Sequence, residues 1–372
     1  GTGFSSWIAD RLDDRAGEIG LARQATDNRI LAHGGSLRAK VFLPSLSTII
    51  ETFCEGRKER FRPVDLIPAY SQGPERLRRA LTTAAAGEIG LPGRLFLEAG
   101  WRSEWSRSEY YDEPPFPWLP ATPAGPVEGR ETSPSLGVRA QPAAWITLKG
   151  NWGRYYRLPT FFELFGNLGT VTGSPGLEPE RGTNCDIGLI LASERLWRIE
   201  RPFLELVYLS KEVQDLILFF QNSQYTVKPT NIGSARIEGF ELSLSVTAGG
   251  LLRLAGNWTR LETRDTGPIP YYHGNRLPGR PVHETAWSAE LLRRRWSAGW
   301  EIHFIGSNYL DRANLRETPA RTVHNATITL RSPKRGIALT IEGQNLGDRR
   351  SYDVIGYPLP GRSFYATLGF GN

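Results

Sequence analysis

The sequence predicts an all-β protein, an antiparallel up-and-down transmembrane β-barrel with about 16 strands. Three observations predict this fold class. Apolar and polar residues alternate along many short segments, short and long connections alternate along the chain, and aromatic residues gather near segment ends. The alternation is clearest at residues 240–246, 296–304 and 337–342. Because successive side chains of a strand point to opposite faces, each segment has one apolar face and one polar face.

The connections between these segments fall into two length classes. Short ones are expected near residues 43–45, 91–94, 141–143, 248–250, 293–295 and 332–336. Long ones are expected at about 10–33, 57–77, 105–133, 157–183, 213–235, 263–283, 306–321 and 345–362. Outer-membrane barrels have short periplasmic turns at one rim and long extracellular loops at the other. A sandwich with Greek-key crossings does not sort its loops in this way.

The aromatic residues and the end of the chain give the predicted strands a direction. Rings that suit the membrane interface lie near segment ends, among them Trp101, Trp105, Tyr155, Tyr156, Trp258, Trp296 and Trp300. Phe364, Ala366, Leu368 and Phe370 alternate almost to the last residue, which is typical of the final strand of an outer-membrane barrel. If that strand descends to the periplasm, all the long loops are extracellular. The polar strand residues Glu98, Lys149, Glu241, Glu301 and Glu342 then line a wet lumen.

Composition and motif searches exclude several other classes. No run of 18 or more apolar residues occurs, so no transmembrane helix is expected. The net charge of +6 comes mainly from Arg, but no basic run is interleaved with aromatic residues as a nucleic-acid surface requires. Cys54 and Cys185 are isolated and the five His are scattered, so we expect no metal site and no cofactor. Neither GxSxG nor HExxH occurs, which indicates that the protein is not an enzyme.

Several stretches resemble the TonB-dependent outer-membrane receptors. Residues 151–165 (NWGRYYRLPTFFELF) resemble the family's strand with its "(F/Y)RxPxxxEL(F/Y)" box, and residues 175–181 (PGLEPER) resemble the segment that follows it. Residues 231–241 (NIGSARIEGFE) resemble the family's "N-x-G-x-A-x-I-x-G-x-E" pattern, with Gly233 and Gly239 at positions that permit close strand contact. Residues 345–348 (NLGD) and 360–364 (PGRSF) resemble the elements around the last loop. Residues 1–150 fit by strand rhythm alone.

This resemblance implies a barrel of about 22 strands that is closed by an N-terminal plug domain. We therefore interpret residues 1–372 as one outer-membrane barrel domain that is incomplete at its N-terminus and lacks the plug. The alternatives are a self-sufficient, porin-like passive channel of about 16 strands and a soluble, secreted β-protein.

The resemblance also implies a function at the bacterial outer membrane, namely energy-coupled uptake of a scarce, bulky ligand such as a ferric siderophore. The implied partners are outer-membrane lipid and lipopolysaccharide, an iron chelate or similar small ligand, and the TonB complex acting through the plug. No His lies between Leu158 and Leu177, which argues against haem. Aromatic and polar loop residues are expected to contact the ligand, with loop packing as the alternative role: Tyr271, Tyr272, His273, Tyr309, Tyr352 and Tyr357.

Overall fold

A computed structural model describes residues 1–16, 24–64, 66–67, 75–112, 122–166, 171–221, 227–332, 336–354 and 357–370. Sixteen long strands, numbered in chain order, make up most of it. They are β1 (Thr2–Asp14), β2 (Gln24–Leu43), β3 (Thr48–Arg62), β4 (Arg76–Leu91), β5 (Leu95–Asp112), β6 (Thr122–Ala143), β7 (Ile146–Arg157), β8 (Glu180–Ala192), β9 (Ile199–Gln214), β10 (Ser234–Ala248), β11 (Leu252–Asp265), β12 (His283–Leu292), β13 (Trp296–Ile305), β14 (Arg321–Ser332), β15 (Ile337–Gln344) and β16 (Ser363–Phe370).

Each long strand pairs with the next one along the chain, and every pairing is antiparallel. The two-residue segment Arg195–Leu196 also pairs with β9, so the sheet contains 17 strands. Within the described residues β1 pairs only with β2, and β16 pairs only with β15. The predicted all-β, up-and-down order with about 16 strands is confirmed.

The connections alternate in length as predicted. Short ones span residues 44–47, 92–94, 144–145, 193–198, 249–251, 293–295 and 333–336, and long ones span 15–23, 63–75, 113–121, 158–179, 215–233, 266–282, 306–320 and 345–362. The short connection predicted at 141–143 is wrong, because those residues belong to β6 and the turn lies at 144–145. The turn at 193–198 was missed. We call the end of the sheet with the long connections the long-loop rim, and the opposite end the short-turn rim.

The strands of the N-terminal half are longer than the alternation predicted. β2 has 20 residues, β5 has 18 and β6 has 22, whereas β15 and β16 have 8 each. A tilted strand needs only about 9–11 residues to cross a bilayer. Beyond that length both faces of a strand meet water, so the apolar alternation disappears, as in residues 128–132 (EGRET) of β6. This is why the first three long connections were predicted too long.

The sheet has one apolar face and one polar face. On β5, Trp101 and Trp105 are exposed on one face, whereas Glu98, Arg102 and Glu104 lie on the other. Because paired residues on neighbouring strands lie on the same face, the strand registers extend these two faces across the whole sheet. The apolar face, which we call the outer face, exposes Leu37, Val41, Ile50, Leu81, Ile89, Leu97, Leu136, Leu148, Ile187, Phe240, Trp300, Ile328, Ile341, Phe364 and Leu368. A continuous apolar surface of this extent is typical of a membrane-facing wall.

The opposite, inner face is polar. It carries the residues predicted to line a lumen, Glu98, Lys149, Glu241, Glu301 and Glu342. Lys149 Nζ donates to Glu205 Oε1 at 2.5 Å, and Asn151 Nδ2 donates to Asp186 Oδ2 at 2.8 Å. Glu104, only 5% exposed, accepts hydrogen bonds from Thr82, Arg102 and Tyr156. Several charged groups on this face are therefore paired with one another.

Short elements occur mainly in the connections. The five-residue helix α1 (Phe161–Phe165) follows β7, and a 3-10 turn (Pro44–Leu46) joins β2 to β3. Short hairpins pair Ile217–Gln221 with Val227–Asn231, Asn308–Tyr309 with Glu317–Thr318, and Tyr352–Val354 with Tyr357–Pro358. Within the described residues, no helix is long and apolar enough to cross a membrane.

Candidate functional site

The long-loop rim carries the residues that were predicted to contact a ligand. Tyr271, Tyr272 and His273 lie between β11 and β12, Tyr309 lies between β13 and β14, and Tyr352 lies between β15 and β16. The backbone of Tyr357 pairs with Val354, and its side chain lies outside the described part of the chain. The predicted residues therefore share one rim but come from three separate connections.

A buried ion pair joins three consecutive long connections at this rim. Asp265, the last residue of β11, is only 1% exposed, and its Oδ2 accepts a hydrogen bond from Arg312 Nε at 2.6 Å. Asp265 Oδ1 accepts from the Gly267 amide at 2.8 Å. Arg312 belongs to the β13–β14 connection, and its Nη2 also donates to the carbonyl of Ile232 at 2.8 Å. Because one guanidinium contacts all three segments, their relative positions are fixed.

Further hydrogen bonds hold residues 266–282 against residues 306–320, and we call these two segments the clasped loops. The side chain of Asn314 accepts from the Arg276 amide at 2.8 Å and donates to the Arg276 carbonyl at 2.9 Å. Asn275 Nδ2 donates to the Arg312 carbonyl at 3.0 Å, and the Gly279 amide donates to the Tyr309 carbonyl at 2.7 Å. These hydrogen bonds satisfy backbone groups that have no partner strand in a loop.

The clasped loops bring some of the predicted residues together. The Arg312 guanidinium carbon lies 4.4 Å from the centre of the Tyr272 ring, and the Tyr271 ring meets the Tyr272 ring edge-on at 5.2 Å. His273 Nδ1 lies 3.2 Å from the Gly267 carbonyl. Tyr271 remains 65% exposed, so its ring is presented to solvent by a fixed support.

Tyr352 is not joined to this group by any contact in the described part of the chain. Its strand pairs with Pro358 within its own loop. That loop reaches the clasped loops elsewhere, where Arg349 Nη2 donates to the Ala320 carbonyl at 3.4 Å. The structure therefore groups Tyr271, Tyr272, His273 and the Tyr309 backbone, and it leaves Tyr352 apart.

A second cluster, formed by the β7–β8 connection, explains the two adjoining motifs. Arg157, the last residue of β7, makes bidentate hydrogen bonds of 2.8–3.0 Å to both Glu163 and Glu180. Thr160 caps α1 in a capping box with Glu163. Glu180 Oε1 also accepts from the Ile217 amide at 2.7 Å. Arg157 and Glu163 of the first motif and Glu180 of the second therefore form one hydrogen-bonded cluster, which we call the Arg157 knot.

The charge of Glu163 is stabilised in this knot. Burial acts to raise the pKa of its carboxyl. The hydrogen bonds from Arg157 and the Thr160 amide act in the opposite direction, and together they hold the pKa below its ordinary value.

Helix α1 crosses to the inner face of β3 and β4. Phe161 stacks on Phe61 of β3 with ring centres 5.6 Å apart, and the guanidinium of Arg78 lies 4.8 Å from the Phe161 ring. Arg78 Nη2 also donates to the Pro159 carbonyl at 2.8 Å. Arg76 lies 4.1 Å from the Phe165 ring. Because α1 starts from β7 yet packs on β3 and β4, this connection forms a strut that spans the wall from β7 to β3.

The other two motifs are also hydrogen-bonded clasps at the long-loop rim. Asn231 donates to the carbonyls of Glu178 and Asp215 at 3.1 and 2.6 Å and accepts from the Glu178 amide at 3.0 Å. Asn345 donates to the carbonyl of Pro360 at 3.2 Å, and the nearby Asp348 accepts from the Arg362 amide at 3.0 Å. The motifs hold the bases of the long loops together.

Sequence reasoning missed the residues that position these loops. Asp265, Arg312, Phe61, Arg76 and Arg78 belong to no motif quoted above. The sequence did contain one signal, Phe61. It is an aromatic residue among the polar, inner-facing positions of β3, which indicates that another part of the protein packs on it. Among the described residues, no group of three or more His, Cys, Asp or Glu could hold a metal ion. Cys54 and Cys185 are free and exposed.

The profile of the family described as "TonB dependent receptor-like, beta-barrel" matches residues 59–346, well over half of the 372 residues. The chain belongs to this family of receptor β-barrels. A search of curated proteins finds no match.

Solved structures show the same fold. The chain superposes on the copper transporter OprC with a TM-score of 0.77 and 17% identity, covering 98% of this chain and 61% of that one. For the FrpB iron transporter from Neisseria meningitidis (F5-1 variant) the TM-score is 0.74 and the identity 14%, over 99% of this chain and 60% of that one. For the siderophore receptor PiuA from Acinetobacter baumannii the TM-score is 0.70 and the identity 16%, over 98% of this chain and 56% of that one. The chain thus spans 56–61% of the length of these structures, and at such identities the likeness shows the fold alone.

Proposed function

We propose that the chain forms the barrel wall and ligand-binding rim of a TonB-dependent receptor in the bacterial outer membrane. The family match over residues 59–346 carries this proposal. The continuous apolar outer face supports a membrane location and disfavours a soluble, secreted protein.

We further propose that the ligand is a scarce, bulky iron chelate of the siderophore type. Similar structures include an iron transporter and a siderophore receptor, as their names state. The clasped loops add a chemical argument. They carry the exposed ring of Tyr271 and, in the same loop, the exposed cations Arg276 and Arg280, which make no ion pair within the described residues. Guanidinium groups attract anionic chelates, and the ring offers a stacking surface to aromatic iron-binding groups.

In this proposal the reaction is binding followed by gated passage, with no covalent chemistry. Ligand is captured at the long-loop rim, and energy from the TonB complex acts through a plug domain of the whole receptor. The clasped loops and the Arg157 knot supply a preorganised rim, because a surface that is already ordered loses less entropy when it binds.

The test is a calorimetric titration of the chain, purified in detergent, with ferric catecholate, hydroxamate and carboxylate chelates. We expect one class to bind, and Tyr271→Ala to weaken its binding about fivefold, as expected for one aromatic contact worth about 1 kcal/mol. Trp197→Ala is the matched control, since this aromatic residue is 89% exposed at the short-turn rim. Absence of binding together with a steady ion conductance in planar bilayers would instead support the porin-like channel. Solubility without detergent would support a secreted β-protein.

A further inference from the structure

The pairing between β6 and β7 stops well below the long-loop rim. β6 extends to Thr122 and β7 to Arg157, but the pair nearest that rim joins Ser135 to Gly153. Beyond it β6 still pairs with β5, and residues 154–157 of β7 still pair with β8. Within the residues that the structure describes, the two strands therefore separate above Ser135, and we call this interruption of the ladder the β6–β7 seam.

The sequence of β6 explains where the ladder ends. Pro134 directly precedes Ser135, and Pro126 and Pro123 lie further toward the long-loop rim. Because proline has no N–H to donate, within sheets it is found mainly on edge strands. The three prolines therefore mark the upper half of β6 as an edge, although the sheet continues on both sides of this strand.

Contacts across the seam show that β7 and β8 lie behind β6. Arg181 of β8 donates two hydrogen bonds to Glu131 of β6, at 2.6 and 3.1 Å. The hydroxyl of Tyr156 on β7 donates to Glu104 on β5 at 2.9 Å. By strand alternation Tyr156 and Arg181 are outer-facing residues of their strands. Glu104 and Glu131 lie opposite each other on the inner face. Outer-facing side chains can contact these only if β7 and β8 lie on the inner side, so the two parts of the wall overlap at the seam.

The seam lies above the apolar band of the outer face. The exposed apolar residues just below it are Leu136 of β6 and Trp152 of β7. Further toward the long-loop rim the outer-facing residues include Thr132 and Arg130 on β6 and Arg154 on β7. Backbone groups without a partner strand are tolerated in water but not in lipid. The two strands therefore separate at a height where a membrane-spanning wall can leave its ladder incomplete.

Few contacts close the seam. Besides the two side-chain contacts, helix α1 reaches from β7 to β3 and β4, where Phe161 stacks on Phe61. We call these three the closing contacts. A polar cavity of about 390 Å³ remains between the overlapping parts, lined by side chains of β6, β7, β8 and β9. No backbone ladder crosses the seam within the described residues, and regions held by few contacts open locally while the rest of a protein stays folded.

We propose that the wall opens at the β6–β7 seam. In the open state β5 and β6 lie apart from β7 and β8 above Ser135, and Phe161 leaves Phe61, while the ladder below Ser135 keeps the sheet joined. Hinged separation of two rigid parts is a common way in which proteins open a binding site. A bulky ligand then has more room between α1 and the wall, and this use of the opening rests on the proposed function. The opening itself depends on no ligand.

The test measures the distance across the seam by double electron–electron resonance on the detergent-purified chain, without ligand. Spin labels are attached at Val127→Cys of β6 and Lys211→Cys of β9, two exposed, inner-facing positions that are three strands apart. The free cysteines Cys54 and Cys185 are replaced by Ser. Because no chelate is present, a failure of the proposed ligand to bind would leave this inference standing.

The variant Y156F/R181M removes both side-chain closing contacts and keeps α1. We expect it to show a second distance that exceeds the first by at least about 5 Å, which is one strand spacing. Phe161→Ala, added to this variant, removes the ring stack and is expected to increase the longer population. The double variant alone decides the outcome if the triple variant does not fold, and a single unchanged distance in it overturns the proposal.

R253M is the matched control, because Arg253 and Glu290 form an ion pair between β11 and β12, whose ladder is continuous. Labels at Glu241→Cys of β10 and Glu301→Cys of β13 are likewise exposed, inner-facing and three strands apart. We expect one unchanged distance between them. A second, longer distance of the same size as at the seam would also overturn the proposal, because it would indicate that loss of any ion pair loosens the sheet.

Discussion

Replacement of Arg157 by Met tests whether the Arg157 knot holds α1 in place. The substitution keeps the length of the side chain but removes four hydrogen bonds to two carboxylates, Glu163 and Glu180, whose side chains are only 8% and 9% exposed. Loss of one partner from a buried ion pair costs about 3–5 kcal/mol. Because the Arg157 side chain itself is 39% exposed, we expect the lower limit, about 3 kcal/mol.

We expect this loss of free energy to favour local opening of α1, while the sheet stays folded. Hydrogen exchange of peptides covering residues 159–166 should accelerate about a hundredfold, the factor that corresponds to about 3 kcal/mol. Peptides from β13 and β14 serve as the internal control. The triple variant R157M/E163Q/E180Q also removes the two unpaired carboxylate charges and should recover part of the protection from exchange. An acceleration of less than about threefold in R157M would refute the reasoning.

Three further predictions concern the knot, the clasped loops and the strand contacts. Because the pKa of Glu163 is lowered in the folded state, its contribution to stability is present above its unfolded pKa of about 4.3 and is lost as the pH falls through the lower folded value. The protection factor of the α1 amides, which is the intrinsic exchange rate at each pH divided by the measured rate, should therefore fall below about pH 4, and an unchanged protection factor in acid would contradict this. Arg312→Ala should expose the clasped loops to protease, because it leaves the buried Asp265 carboxylate without its counter-charge and lowers the stability of the loops by about 3 kcal/mol. Asp265→Asn in the same chain should restore part of the resistance to protease. Gly239→Ala should lower the heat-denaturation temperature, because a Cβ there would lie 2.1 Å from a carbonyl oxygen of β11. Gly299→Ala, whose nearest atom is 4.0 Å away, is the control, and an equal effect of both would argue against strand contact as the cause.

The wall of the barrel was predictable because its signal is repeated many times. Period-two alternation at residues 240–246 and 296–304 became β10 and β13, with the faces as predicted. In membrane β-barrels the bilayer enforces such a pattern, since one face must be apolar over the whole thickness of the membrane. Gly239 was also predictable, because a glycine inside a strand indicates a close approach of another backbone.

The rim was predicted only in outline. The Tyr271–His273 segment was assigned to a loop correctly, but the partners Asp265 and Arg312 lie 47 positions apart, and no local pattern relates them. The strut formed by α1 depends on packing between Phe161 and Phe61, which are brought together only once the five strands from β3 to β7 have paired. Contacts of this kind follow from the three-dimensional arrangement of the strands, and a single sequence contains no periodic trace of them.

The unequal strand lengths have a consequence for the shape of the mouth. β6 has 14 residues more than β16, which corresponds to about 45 Å of strand at ~3.3 Å per residue. The long-loop rim is therefore higher at β2 to β6 than at β12 to β16. In the proposed receptor, a large solute that approaches along the cell surface would meet the lower part of this rim more easily than the higher part. The clasped loops lie on that lower part.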